Sequence, residues 1–231
     1  MLRPQGPVWK RILVIGLPAG AEFVLMALYL LLIYWITQRF GPHAQAGFGI
    51  GMRWLQAFFM PALAVSFAAA AVAGQNFGAR DGARVRGTFR EALLQAGLLM
   101  LAAMLLLQVA PAALVGLLSK DADVIATGAD FLRIISWNLL ASALIFACSG
   151  LFQGMGNTLP SLICSAIRIA MICALALWAS ARPDFHLQQL WMLSVATTLA
   201  QAVLCALFLR RELRLRLAWG PPAAATTASA A

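Results

Sequence analysis

Six long apolar runs, each parted from the next by a few charged or turn-forming residues, leave this chain little choice of fold. A helix needs ~20 residues to cross ~30 Å of hydrocarbon at 1.5 Å per residue, and it must pair its own backbone groups while it does so. The runs cover residues 12–37, 44–73, 91–118, 124–152, 160–181 and 187–209. The expected fold is all-α: a polytopic membrane protein with six transmembrane helices. Composition agrees, with 62% hydrophobic and 11% charged residues among 231 and a mean hydropathy of +0.85. A soluble domain carries about 25% charged residues. An ordinary soluble enzyme, a disordered chain and a disulfide-stapled secreted domain are thereby excluded.

The breaks have physical causes. Arg39-Phe40-Gly41-Pro42 joins a charge, a flexible residue and an imino acid that cannot continue a helix. Residues 74–87 are rich in glycine and arginine. Lys120-Asp121-Ala122-Asp123 makes a polar turn in which Asp123 is placed to cap the next helix. Asn157 and Thr158 precede Pro160, and Arg182-Pro183-Asp184 forms the last turn. From Gly220 the tail is rich in Pro, Ala and Thr and is expected to be disordered. No cleavable signal peptide is expected, since the first run is too long for one.

The net charge of +9 does not mark a nucleic-acid partner, because the basic residues sit between apolar runs instead of forming a patch on a polar domain. Arg3, Lys10, Arg11, Arg80, Arg84, Arg86, Arg90, Arg210, Arg211, Arg214 and Arg216 fall on one side of a six-span topology. Arg39, Lys120 and Arg182 fall on the other. The positive-inside rule places the first group, with both termini, in the cytoplasm. The expected organisation is a cytoplasmic segment 1–11, a six-helix lobe 12–210, and a basic, then disordered, cytoplasmic tail 211–231. Trp35, Trp178 and Trp191 fall at outer ends and Trp9 near an inner end, as an aromatic belt would require.

Four charged side chains lie within spans: Glu22, Arg53, Arg133 and Arg168. Each costs at least ~2.5–3.5 kcal/mol near the bilayer centre, so each needs a reason. Glu22 is the deep carboxylate, ten residues or roughly 15 Å into the first span. It is expected to bind a coupling cation or substrate, with a structural ion pair as the alternative. Arg168 matches its depth best, and Arg53 is the alternative partner. Arg53 and Arg133 are near enough to outer ends to snorkel. Gln56 and Asn138 line a cavity or make interhelical hydrogen bonds. Pro18 and Pro61 permit bends within spans. Met26, Met52, Trp54, Phe58, Phe59 and Met60 offer either an adaptable apolar surface for bulky compounds or ordinary core and lipid-facing positions.

Enzymatic and metal motifs are missing from the sequence. Cys148, Cys164, Cys173 and Cys205 lie in apolar runs without CxxC spacing and read as core residues. His43 and His186 lack ligand spacing. There is no HExxH, GxSxG or phosphate-cradling GxxxxGK[ST], so neither a hydrolase nor a self-contained ATP-driven pump is expected.

Three segments together resemble the MATE family (multidrug and toxic compound extrusion). They are Ile15-Gly16-Leu17-Pro18-Ala19-Gly20 opening the first span, Gly74-Gln75-Asn76-Phe77-Gly78-Ala79-Arg80 with the basic stretch to Arg90, and Ser149-Gly150-Leu151-Phe152-Gln153-Gly154-Met155-Gly156-Asn157-Thr158 closing the fourth. The resemblance covers about residues 10–210. It implies one six-helix lobe of a twelve-span, two-lobe transporter, and the charged start before a Gly-Leu-Pro helix resembles the C-terminal lobe. It also implies proton- or sodium-coupled export of organic, often cationic, compounds by alternating access, in a bacterial inner membrane, with no other cofactor. The partners implied are a small organic substrate, membrane lipid, and a second lobe or a second copy. A family carboxylate of the first helix falls at Met26, one turn beyond Glu22 on the same face, and another falls at Ser142. The implied cavity set is Glu22, Met26, Arg53, Gln56, Asn138, Ser142 and Arg168, while Gly74, Gln75, Asn76 and Gly78 shape a cytoplasmic helix end and loop. The alternatives are a lipid-linked oligosaccharide flippase of a related branch, carried by the three intramembrane arginines, and a non-transporting half or scaffold subunit.

Overall fold

The chain turns where its sequence removes an amide proton or a side chain. A computed structural model describes residues 6–183 and 185–218. Helix α1 runs Gly6–Thr37 and tightens into a 3-10 turn at Gln38–Phe40. Gly41 then takes φ 91°, and Pro42 opens α2, Pro42–Gly78. Helix α3 is Gly82–Val109, and Pro111, whose missing N–H breaks the ladder, starts the short α4, Pro111–Gly116. Helices α5 (Ala122–Ile135), α6 (Trp137–Gly154), α7 (Leu159–Ser180) and α8 (Leu187–Arg216) complete the chain. Six of these, α1, α2, α3, α6, α7 and α8, are long and apolar enough to cross a membrane. Arg3, the side chains of Trp9 and Arg11, Asp184 and the tail from Gly220 lie outside the described residues.

Helix boundaries differ from expectation, and the expected third span to 118 ends at Val109, before the separate α4. The fourth span is not one helix over 124–152. It breaks at Ser136, whose hydroxyl donates to the Arg133 carbonyl (2.8 Å) and accepts from Gln108 Nε2 (2.8 Å), so that side-chain bonds compete with the helical ladder there. The third span starts at Gly82, not Glu91, because Asp81 caps it by accepting from the Arg84 amide (2.9 Å). Asp121, not Asp123, caps α5. Its Oδ1 accepts from the amides of Asp123 (2.9 Å) and Val124 (3.2 Å), because the helix begins at Ala122.

The two motif-bearing helix ends share one construction. At the end of α2, Asp81 N–H bonds the Asn76 carbonyl (2.9 Å) and Arg80 N–H the Phe77 carbonyl (3.1 Å), with Arg80 left-handed at φ 58°. At the end of α6, Asn157 N–H bonds Phe152 (2.9 Å) and Gly156 N–H bonds Gln153 (3.0 Å), with Gly156 at φ 73°. Both are Schellman closures. Gly74 and Gly154 bring these ends together. A methyl on Gly154 would lie 2.5 Å from the Ala70 carbonyl oxygen, and one on Gly74 3.1 Å from that of Gly154. Gln75 lends its carbonyl to the Ala79 amide (3.0 Å), and Asn76 Nδ2 donates to the Val72 carbonyl (3.0 Å). Gly78 has open space around it.

The same close approach continues along α2. Ser66 meets Gly150 and donates to the Phe146 carbonyl (2.7 Å), while Gly47 meets Gly128. Small residues let helix backbones touch where lipid supplies no hydrophobic drive to association. Beyond Gly47 an aromatic cluster fills the space: Phe48 stacks on Trp191 (5.3 Å between centroids) and both meet Phe131 edge-on. Trp191 is 2% exposed, so it belongs to the core and not to an interfacial belt. Position along a span fixed its depth, but its α8 face points inward. Trp35 and Trp178 are exposed, with Arg39 and Arg182 over their rings at 4.7 and 3.7 Å.

Candidate functional site

A carboxylate in an apolar helix must find donors, and Glu22 finds them on α7. Ser161 and Ser165, one turn apart, both donate to Glu22 Oε1, at 2.6 and 3.1 Å. Behind Ser161 stands Ser149 of α6 (3.0 Å), which in turn accepts from Gln153 Nε2 (3.4 Å). Behind Ser165 stands Gln201 of α8, whose Nε2 donates to the serine hydroxyl (3.1 Å). With both α7 hydroxyls committed to Glu22, Ser149 donates to Ser161, and every donor in this array points toward one carboxylate oxygen. Three helices, α6, α7 and α8, therefore converge on Glu22 of α1 through neutral polar side chains.

No arginine pairs with Glu22 among the described residues, so the alternative of a structural ion pair with Arg168 or Arg53 is not what the fold builds. The two α7 hydroxyls occupy the near positions. Arg168 lies farther along α7, with its guanidinium over the Tyr29 ring at 4.8 Å, and its Nε is buried without a hydrogen-bond partner. Tyr29, seven residues beyond Glu22 on α1, shares a hydrogen bond with Ser194 of α8 (2.9 Å). Depth matched Arg168 to Glu22 well, but the arginine settled about one turn farther along α7, beside Tyr29. Arg53 and Gln56 are exposed on α2, and Met26 is 44% exposed on α1. Asn138 and Ser142 are buried in α6, and Asn138 Oδ1 has no partner. The structure thus joins Glu22 to α6, α7 and α8 through Ser149, Gln153, Ser161, Ser165 and Gln201, which were not among the expected residues. A sequence signal for them existed: serines or a serine–glutamine pair four apart on one helical face in apolar runs.

An open, apolar groove of about 490 Å³ lies elsewhere, between α3, α5, α6 and α8, with Gln108, Arg133, Trp137 and Met192 in its walls. Neither Glu22 nor Arg53 nor Arg168 lines it. Met52, Trp54, Phe58 and Phe59 pack against the core, and Met60 is exposed. Cys148, Cys164 and Cys205 are buried free thiols, as core cysteines should be. The fold brings together one pair that sequence spacing did not show. His43 Nδ1 sits 3.3 Å from Asp121 Oδ2, and with Asp123 these residues place one ligand atom each within 4.8 Å of one another. All three are exposed, and Asp121 Oδ1 is committed to its helix cap, so the arrangement is a surface histidine–aspartate contact at the cap of α5. Hydrogen bonding from the Val124 amide, and secondarily the Asp123 amide and His43, holds the Asp121 carboxyl below the usual aspartate range.

Six apolar helices packed in this way define a polytopic α-helical membrane protein. A family model described as MatE matches residues 18–178, and the chain belongs to that family. The probable multidrug resistance protein NorM of Thermotoga maritima is 27% identical over 169 residues, which are 73% of this chain and 36% of that protein. The multidrug export protein MepA of Staphylococcus aureus is 23% identical over 176 residues, 74% of this chain and 39% of its own. Among solved structures, a MOP-superfamily transporter of Pyrococcus furiosus superposes with a TM-score of 0.86 at 22% identity, over 93% of this chain and 48% of that one. An outward-facing multidrug resistance MATE family transporter gives 0.87 at 20% identity, over 94% and 49%. The chain spans less than half the length of these proteins, as a single lobe would.

Proposed function

We propose that this chain is one lobe of a secondary active exporter and that Glu22 carries its coupling ion, a proton or sodium. The observation that supports it most is the convergence of α6, α7 and α8 on Glu22 Oε1 through hydroxyl and amide groups alone. Glu22 with Ser161 and Ser165 places carboxylate and hydroxyl oxygens together, the hard ligand type a small hard cation takes, and the carboxylate is itself the group a proton would occupy. The site also has a built-in readout. Two charge-assisted hydrogen bonds tie α1 to α7, and α1 packs chiefly on α7. A proton on Glu22 weakens both bonds, and a sodium ion would compete with the serine hydrogens for the carboxylate. Ion occupancy thus carries a differential free energy between docked and released α1, which an alternating-access cycle requires. The proposed substrate is an organic compound bearing positive charge. The proposed partner is a second MATE-like lobe or a second copy, and the proposed setting is a bacterial plasma membrane with both ends cytoplasmic.

The three arginines do not favour the flippase alternative: Arg133 lines the groove without the other two, and Arg168 is held on Tyr29. Transport of a fluorescent organic cation into proteoliposomes under an imposed proton or sodium gradient tests the proposal. It should be run with this chain alone and with a second MATE lobe. Glu22→Gln should abolish gradient-driven flux and Glu22→Asp should keep part of it. Unchanged pH and sodium dependence in Glu22→Gln would overturn the assignment.

A further inference from the structure

The last two turns of α8 carry a charge that no ion pair among the described residues neutralises in full. Positions 207, 210, 211, 214 and 215 fall within about 140° of arc at 3.6 residues per turn. They form one face: Leu207, Arg210, Arg211, Arg214 and Leu215, lining an open groove of about 440 Å³. The opposite face is docked. Leu209 is buried, and Glu212 accepts from Asn157 Nδ2 (3.1 Å). Arg216 Nε lies 2.8 Å from Glu212 Oε2, an ionic contact whose N–H is not aimed along it, and Arg216 Nη1 donates to the Met155 carbonyl (3.1 Å). The groove is therefore fixed to the bundle through the α6 turn.

Charge accounting leaves the three arginines open. Arg84 has Asp81 and Arg216 has Glu212. Arg210, Arg211 and Arg214 make no ion pair among the described residues, and residues 218–231 contain no Asp or Glu. The same helix face continues down into the span as an apolar track. Leu199, Val203 and Leu207, each one turn from the next, are 50%, 59% and 55% exposed. A guanidinium cluster at the head of ~12 Å of exposed aliphatic surface matches an anionic headgroup with its acyl chains. A free phosphate would use the arginines and leave the track unused.

We infer that this face of α8 is a binding site for an anionic phospholipid, with the phosphate on Arg210, Arg211 and Arg214 and a chain along Leu207, Val203 and Leu199. The site fixes the end of α8, and through Asn157 the end of α6, to an anionic leaflet.

Native mass spectrometry of the full chain, titrated with phosphatidylglycerol, cardiolipin or phosphatidylcholine, tests this. Arg210→Gln/Arg211→Gln/Arg214→Gln should weaken binding of the two anionic lipids on the order of 100-fold, from the loss of three charge-assisted guanidinium–phosphate contacts, and leave phosphatidylcholine unchanged. A charge-matched control, Lys10→Gln/Arg86→Gln/Arg90→Gln, should bind like the unaltered chain. Val203→Gln, which interrupts the apolar track, should weaken lipid binding without affecting binding of inorganic phosphate. Equal weakening in the control would reduce the site to bulk charge and overturn it, as would full competition by inorganic phosphate. The substituted arginines are exposed, and an unchanged melting temperature confirms that each variant is folded.

Discussion

Two seams of this bundle are built in opposite ways. Where α2 meets α5 and α6, Gly47, Ser66, Gly74, Gly150 and Gly154 bring backbones together, and Phe48, Phe131 and Trp191 fill the end of the seam. Where α1 meets α7, contact is carried by Glu22 on two serines and by Arg168 on Tyr29, with large apolar side chains such as Leu17, Phe23 and Val24 left exposed. The first seam has no spare volume and no charge, so it can hold only one arrangement. The second depends on hydrogen bonds to an ionisable group. Under the proposed function, those bonds are the ones that ion occupancy changes, and the second seam is where the bundle moves.

The largest effect should come from the tight seam. Trp191→Ala removes the ring that stacks on Phe48 and should cost about 3–5 kcal/mol, read as thermal unfolding in detergent. Gly154→Val comes next. Its branches must displace the Ala70 carbonyl, and overpacking of this kind costs about 1–3 kcal/mol. The matching change on the other side, Met26→Ala, should stay within ~0.5 kcal/mol because Met26 is exposed. Equal losses at Gly154 and Met26 would erase the distinction.

The loose seam should be sensitive to donors, not to volume. Ser161→Ala/Ser165→Ala strips Glu22 of both hydroxyls. Hydrogen bonds to charged groups are worth about 1.5–3 kcal/mol each, less here because Glu22 is only half-buried. The loss should shrink in a Glu22→Gln background, and that coupling in a double-mutant cycle sharpens the comparison. The smallest effect belongs to the loop before α5. Asp121 titrates below its ordinary range, so its contribution is present above about pH 4 and is lost as pH falls through the lower, folded value. Asp121→Asn should flatten that acid limb while keeping a cap on α5, and a melting series from about pH 7 to about pH 3 shows whether it does.

The spans were legible because apolar length and polar breaks are local properties. Faces were not. Trp191 has the depth of a belt residue, and only packing against Phe48 and Phe131 shows that it points inward. Glu22 announced itself by its depth, but its donors stand 139 and 143 residues away on α7. Matching charges by depth proposed Arg168, since sequence shows how far along a helix a residue lies better than which hydroxyls reach it first. The break at Ser136 was hidden because a serine in an apolar run breaks a helix only when its hydroxyl and a neighbour, here Gln108, take over the bonding. The glycine-bearing motifs were visible as motifs, while their work as paired helix ends needed Gly74 and Gly154 in contact.

The most direct test of the account is the distance between α1 and α7 as ion occupancy changes. Spin labels at Ala27 and Ala174, in a background free of native cysteines, report it by pulsed electron resonance. Two distance populations whose ratio shifts with pH or sodium are expected, and a single, unresponsive population in Glu22→Gln. A distribution that ignores both ions in the unaltered protein, or one that still responds in Glu22→Gln, would contradict it.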